Sequence, residues 1–278
     1  MIAAVAGTDA GRDLAFSPDD FERVRALIRT KAGIDLNPGK QNMVYSRLAR
    51  RLREHGHSSF RSYLDTLRGE SDPEWQEFIN CLTTNLTAFF REAHHFPLLA
   101  QRLREAPPGA AQRIWCCAAS TGEEPYSIAM TVVEALGAGA RVEIDASDID
   151  TRVLATAEAG CYAMDGVAAL EESRLRQFFL KGAGRNAGKV RVKPELRSMV
   201  RFRAFNVLSP AWTMPVNDVV FCRNIMIYFD RPTQRGVLER MHGCIRPQGL
   251  LFVGHSENFT EHRDLFQLVG KTVYRRVG

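Results

Sequence analysis

Ala118-Ala119-Ser120-Thr121-Gly122-Glu123-Glu124-Pro125 stands where an apolar run stops and an amphipathic one begins. Upstream, Arg113 to Ala118 predicts a strand. Small residues then make a tight turn. Pro125 opens a helix that runs to Leu136 and stops at Gly137. Amides exposed at such a helix start, with its partial positive charge, suit an anionic ligand group. The absent side chain at Gly122 would let a ligand approach the backbone. The competing expectation is a plain capped helix, with Thr121 and Glu124 spaced as a capping box.

Working outward, strand and helix signals alternate. Arg141 to Ala146 predicts a second strand, followed by a helix from Thr151 to Ala159 closed by Gly160. Val200 to Phe205, Asp218 to Cys222 and Leu250 to Val253 are further strands, with a helix from Pro232 to Ile245 before the last. Short apolar strands joined by amphipathic helices indicate an α/β fold with a parallel, doubly wound sheet. Lys181 to Val192, rich in glycine and carrying Val190 and Val192 in alternation, is expected to be a small antiparallel excursion. Before residue 84 the pattern is helical. Ser17-Pro18 predicts an N-cap and first turn, with Phe21, Val24, Leu27 and Ile28 at helical spacing. Asn37-Pro38-Gly39 is a turn. Val44, Leu48 and Leu52 then form an apolar stripe, with Arg47, Arg50 and Arg53 opposite and Arg51 beside them. Phe60 to Leu67 and Pro73 to Leu82 complete the helical set.

The 278 residues are 45% apolar and 25% charged, ordinary for a globular chain. Ile2 to Ala6 is too short for a signal-peptide core, and no run could span a bilayer, so a cytoplasmic protein is the expectation. None of the six cysteines forms a C-x-x-C pair, and Cys116 and Cys117 on one strand should face opposite ways. All six are expected as reduced thiols, most of them buried. A net charge of +5 invites an anionic partner.

Chemistry-bearing residues cluster where strands end. Asp148 follows strand two, where an acidic side chain can accept bonds from ribose hydroxyls, and Asp150 suits the N-cap of the next helix. Arg223, Asn224 and Tyr228 follow the Asp218 to Cys222 strand among apolar neighbours. Thr83 to Glu92 places Asn85, Thr87 and Arg91 beside Phe89 and Phe90 in an apparent connector. His94-His95 are adjacent and so are expected not to share a helix face, which argues against a metal pair. His255-Ser256 lack a hydrolase frame. No G-x-G-x-x-G follows strand one, which weakens a dinucleotide dehydrogenase. No Asn/Asp-Pro-Pro-aromatic element follows the fourth strand, as an amino-type DNA methyltransferase would show.

These blocks resemble the bacterial chemotaxis receptor protein-glutamate O-methyltransferases, the CheR family. The resemblance rests on Thr83 to Pro97, Ala118 to Ser127, Ala146 to Thr151, Phe221 to Asp230 and Gly254 to Phe259. It implies an all-helical N-terminal domain (14–83), a linker contributing to the cofactor site (84–111) and a Rossmann-like methyltransferase domain (112–278) with a β-subdomain at about 175–195. It implies S-adenosylmethionine as cofactor, S-adenosylhomocysteine as product and no metal. Cofactor contacts would be Asn85, Thr87, Arg91, Glu123, Asp148, Asn206, Val207, Arg223 and Asn224; Val207 stands where the family often has leucine. Arg91 and Tyr228 would lie nearest the reacting methyl. Arg47, Arg50, Arg51 and Arg53 would face the acidic helical bundle of a chemoreceptor, and the glycine-rich segment resembles the subfamily that docks a receptor's C-terminal pentapeptide. A monomer without nucleic-acid or membrane partners is implied. The alternatives are a methyltransferase for another acidic protein or nucleic acid, and a catalytically silent cofactor-binding regulator.

Overall fold

The computed structural model describes residues 14–69, 72–107 and 109–278; Ile2 to Ala6 and Pro108 lie outside the described residues. The chain divides into two compact units, one up to Leu82 and one spanning Thr83–Gly278.

Among its described residues the first unit holds four α-helices and a 3-10 turn at Pro38–Lys40. α1 (Pro18–Ala32) begins with a reciprocal capping box: Ser17 Oγ accepts from Asp20 N, and the Asp20 carboxylate accepts from Ser17 N. It ends at Gly33, whose φ of 69° is left-handed. α2 (Gln41–Glu54) turns Val44, Leu48, Ala49 and Leu52 inward. α3 (Phe60–Leu64) ends earlier than the apolar pattern to Leu67 predicts. Thr66 Oγ1 donates to Tyr63 O and Arg68 Nε to Asp65 O, so side chains take carbonyls that a longer helix would use. α4 is Pro73–Leu82.

The second unit opens with α5 (His95–Arg104), a helix inside the segment expected as linker. Then come β1 (Gln112–Cys116), α6 (Glu123–Leu136), β2 (Val142–Asp148) and α7 (Thr151–Ala159). An inserted stretch carries β3 (Cys161–Ala163), α8 (Glu172–Phe178), β4 (Phe179–Lys181), β5 (Lys189–Val192) and α9 (Pro194–Arg197). β6 (Val200–Ala204), β7 (Asn217–Cys222), α10 (Arg231–Gly243), β8 (Ile245–Val253), β9 (Phe266–Gly270) and β10 (Val273–Arg276) complete it.

Seven strands form one sheet in the order β6-β2-β1-β7-β8-β10-β9. The five from β6 to β8 are parallel, and β10 runs antiparallel to both its neighbours. The sheet is therefore mixed rather than wholly parallel, because a C-terminal hairpin that sequence reading missed supplies an antiparallel edge. Alternation along the strands builds two cores. Ile114, Cys116, Val219, Phe221 and Phe252 face the side of α5, α6 and α7. Trp115, Cys117, Val220, Cys222, Leu251 and Val253 face α10 through Val237, Leu238 and Met241. Cys116 and Cys117 do point to opposite faces, and all six cysteines are free thiols. Among the described residues no helix is long and apolar enough to cross a membrane.

β3, β5 and β4 make a separate antiparallel sheet with β5 in the middle. Val190 and Val192 thus sit on the central strand, and the open edges belong to β3 and β4. Gly182 is needed for closeness within this hairpin, since a Cβ there would lie 2.1 Å from Asn186 O.

Candidate functional site

The order in which strands are added reverses between β1 and β7, which run parallel. From β1 the chain steps to β2 and β6 on one side, and β7 and β8 lie on the other. Open α/β sheets bind ligands beyond the carboxyl ends of strands at such a switch point. The expected cofactor residues from this unit gather there: Glu123 after β1, Asp148 ending β2, Asn206 and Val207 after β6, and Arg223 and Asn224 after β7.

The turn after β1 is held from below. Asp148 is 8% exposed, and its carboxylate accepts from Ser120 N at 2.8 Å and Asp150 N at 2.9 Å. Burial raises its pKa to about 6, against those two hydrogen bonds. Ser120 (φ 47°) and Gly122 (φ 99°) are both left-handed. Gly122 has a packing reason that the sequence did not show. A Cβ there would meet Tyr162 Oη at 2.8 Å and Ala157 Cβ at 2.9 Å, so the missing side chain admits the protein's own packing. Tyr162 Oη donates to Thr121 O across this contact. The capping-box alternative also fails: Gly122 is the N-cap of α6, and Thr121 Oγ1 donates to Glu123 Oε2 at 2.6 Å. Burial lifts the Glu123 carboxyl above its ordinary range.

Asp150 does cap α7, accepting from Arg152 N and Val153 N. Its other oxygen accepts from Thr83 Oγ1 at 2.6 Å and Asn85 Nδ2 at 2.8 Å, which fastens the start of the 83–91 segment to the end of β2. Farther along that segment Arg91 Nη1 donates to Leu86 O, while Thr87 is half-buried. Phe89 lies between Tyr162 and Phe179 of the small sheet, at ring distances of 5.0 and 5.5 Å.

Arg223 is 4% exposed and makes a cross-brace. Its Nη1 donates to Glu124 Oε2, its Nη2 donates to Arg91 O at 2.6 Å, and Glu92 Oε2 lies 3.6 Å away. One buried and one half-buried carboxylate around a buried guanidinium satisfy a charge that would be costly alone. The Arg223 side chain is therefore committed inside the protein, so a cofactor contact at this position would have to come from its main chain. Burial pushes the Glu92 carboxyl up, but hydrogen bonds from His255 and the Arg223 charge outweigh it and hold it below the usual range. The pairing of Glu124 and Glu92 with Arg223 was not legible in the sequence, which offered Glu124 only as a capping-box residue, because their partner lies 99 and 131 residues away.

His94 and His95 depart from the sequence expectation. His94 precedes α5 as its N-cap, so both rings reach one point, Thr272 Oγ1, at 3.2 and 2.8 Å. Ligand atoms of Glu92, His94 and His95 lie within 4.8 Å of one another. The Arg223 guanidinium beside Glu92 already supplies positive charge there. Burial lowers the His95 pKa to about 3, which keeps that ring neutral.

After β7, Asn224 adopts φ 59° and a 3-10 turn Met226–Tyr228 follows. Tyr228 is half-buried, and among the described residues its hydroxyl has no hydrogen-bond partner. Asn206 Oδ1 accepts from Leu208 N, and Val207 is buried in the α10-side core. In the first unit, Arg50 pairs with Glu54 and stays 83% exposed, Arg53 is exposed, and Arg47 donates to Leu82 O. Arg51 departs from its expected outward role. It lies on Glu74 through Nε (2.9 Å) and Nη2 (2.5 Å), and Tyr63 Oη donates to the same carboxylate.

Two family models match in tandem. Residues 85–275 match the CheR methyltransferase, SAM binding domain, and residues 19–83 match the CheR methyltransferase, all-alpha domain. The chain belongs to the CheR methyltransferase family. Among similar CheR-family proteins, a chemotaxis protein methyltransferase of Klebsiella aerogenes is 51% identical, covering 94% of this chain and 90% of its own. One of Escherichia coli K12 is 50% identical over 94% of this chain and 92% of its own. Chemotaxis protein methyltransferase 2 of Pseudomonas aeruginosa is 50% identical over 95% of both chains. The cofactor of this CheR domain is S-adenosylmethionine. The donor set fits it. The Asp148 carboxylate, with four lone pairs, keeps acceptor capacity beyond its backbone bonds, and Glu123 keeps an oxygen free of Thr121, so both can accept from hydroxyls.

Proposed function

We propose that this chain methylates glutamate side-chain carboxylates of cytoplasmic chemoreceptor domains, forming glutamate methyl esters that set receptor adaptation. The observation that supports the reading is that Asp148 and Asn224 stand at the carboxyl ends of β2 and β7 and Glu123 at the start of α6, in a chain whose close relatives are chemotaxis protein methyltransferases.

A glutamate carboxylate, with an ordinary pKa near 4.3, is already ionised at neutral pH. The residues therefore need no general base. When bound, the sulfonium cofactor supplies an activated methyl and a good leaving group. Asp148 and Glu123 would accept from its hydroxyls, with Asn85, Thr87, Asn206, Val207, Arg223 and Asn224 lining its surroundings and Arg223 contributing main chain. Arg91 and Tyr228 would orient the acceptor carboxylate by donating to it. Such positioning supplies up to about 7–11 kcal/mol of barrier reduction when geometry is good. The donors must hold the acceptor loosely, since binding it more tightly than the transition state would slow transfer.

The test is transfer of labelled methyl from S-adenosylmethionine to a receptor cytoplasmic domain, with a nucleic acid as comparison. Alkali-labile label on receptor glutamates is the expected result; label on nucleic acid alone would overturn it. Tyr228→Phe should keep cofactor affinity within about twofold while lowering the single-turnover rate by about tenfold or more. An intact rate with collapsed affinity would remove Tyr228 from the acceptor site.

A docking role for the small sheet is favoured by its open β4 edge, where Leu180 and Lys181 are exposed. An extended receptor tail could add there by backbone hydrogen bonds. Binding of the free pentapeptide to this chain, lost on Leu180→Pro, is the expected outcome.

A further inference from the structure

Glu257 lies in the loop beyond β8, and its carboxylate is 5% exposed. It accepts four backbone N–H groups. Asn224 N and Gly254 N donate to Oε2 at 2.9 and 2.6 Å, and Ile225 N and Met226 N donate to Oε1 at 3.0 and 2.8 Å. Among the described residues it pairs with no basic side chain. Three of the four donors belong to the loop after β7, and the fourth follows β8. One anion thus gathers the carboxyl ends of two adjacent strands.

The geometry requires a carboxylate. Two oxygens with two lone pairs each match four donors, whereas an amide would offer one oxygen and aim its own N–H groups at two of them. The held loop is not regular structure that would form unaided. Asn224 is left-handed at φ 59°, and a Cβ at Gly254 would lie 2.3 Å from Asn224 Nδ2. Left-handed non-glycine backbone persists where its surroundings over-determine it. Burial raises the Glu257 carboxyl above its ordinary range, against the four bonds that favour its ionised form.

We propose that Glu257 is a positioning residue for methyl transfer: its carboxylate fixes the Asn224–Met226 backbone, and through it the placement of Asn224 and of Tyr228 two residues beyond. This rests on the methyltransferase reading. Glu257 touches neither substrate nor cofactor and acts through the loop.

Glu257→Gln and Glu257→Asp in the full chain test it, by single-turnover transfer, cofactor titration and amide hydrogen exchange. In Glu257→Gln the amides of Asn224, Ile225 and Met226 should exchange about tenfold faster or more, while those of β7 and β8 keep wild-type protection. The transfer rate at saturating cofactor and receptor should fall about tenfold or more, and cofactor affinity about fivefold. Glu257→Asp, which keeps the charge, should recover part of the rate. Faster loop exchange with an unchanged rate would overturn the proposal, and so would unchanged exchange. Should the Gln variant fail to fold, the wild-type amides decide. Ile225 and Met226 must be protected to within about tenfold of β8 interior amides, and exchange at free-loop rates refutes the role. Failure of the acceptor assignment shows separately, as a wild-type chain that binds cofactor yet leaves receptors unlabelled. The exchange rates and cofactor affinity of the Gln variant still decide for Glu257 in that case.

Discussion

Asp148 holds the β1 turn through Ser120 N and, in the proposed function, also offers acceptors to the cofactor. Its folded pKa of about 6 lies above the ordinary 3.8, with burial the main cause. In the chain alone this group stabilises the fold most below about pH 4, and the contribution is lost as pH rises through about 6. Cofactor binding runs the other way, because ribose hydroxyls need the ionised acceptor. Affinity for S-adenosylmethionine, followed by calorimetry, should be level above about pH 7 and weaken toward pH 5. Asp148→Asn should bind more weakly, by about 1.5–3 kcal/mol, and lose the inflection. A wild-type affinity flat across this range would remove the Asp148 carboxylate from the contact set. Both Asp148 and Asp150 were legible in the sequence, since a strand end and a helix start bracket them within three residues. Glu257 and Glu92 were not. A lone carboxylate in a loop has no period, and the amides that Glu257 binds in the other loop lie 31 to 33 residues away.

The α6 N-terminus shows how an element can be read correctly while one of the reasons for its residues stays hidden. Strand, turn and helix stand where the sequence puts them, and the packing of Ala157 and Tyr162 by itself already requires Gly122. Gly122→Ala combines a left-handed φ with a Cβ inside contact distance of backbone. It should destabilise the cofactor-binding unit by about 1–3 kcal/mol in denaturant unfolding. An alanine variant as stable as wild type would mean that α7 yields freely at this contact. Long periodic elements such as α1, α2 and α7 were readable from capping and spacing. β3 was not, because three residues carry too little alternation. The β9–β10 hairpin was missed because Leu268 and Val269 are exposed and break the inward–outward pattern.

At the scale of the whole molecule, the two units carry different expected tasks, and substitution can separate them. Arg50→Glu with Arg53→Glu should slow methylation of intact receptors about tenfold at low salt, where unscreened charge steers encounter. The wild-type rate should itself fall with added salt, and cofactor affinity should be unchanged in the variant. Equal rates at low ionic strength would make these arginines ordinary solvated surface. Arg51 is left out of the test because its bond to Glu74 would turn a charge reversal into a folding defect.

Thiol chemistry gives one position in the second unit a practical use. Cys161 is exposed on β3, whereas burial raises the Cys116 and Cys117 thiols well above the ordinary range. A maleimide dye at neutral pH should therefore react there far faster than at the thiols under the main sheet, since thiolate fraction and access set the rate. The dye would sit one residue from Tyr162, whose hydroxyl holds the Thr121 carbonyl. Its fluorescence would test in real time, without a radiolabel, whether a peptide arrives on the small sheet and whether a nucleoside fills the neighbouring loop.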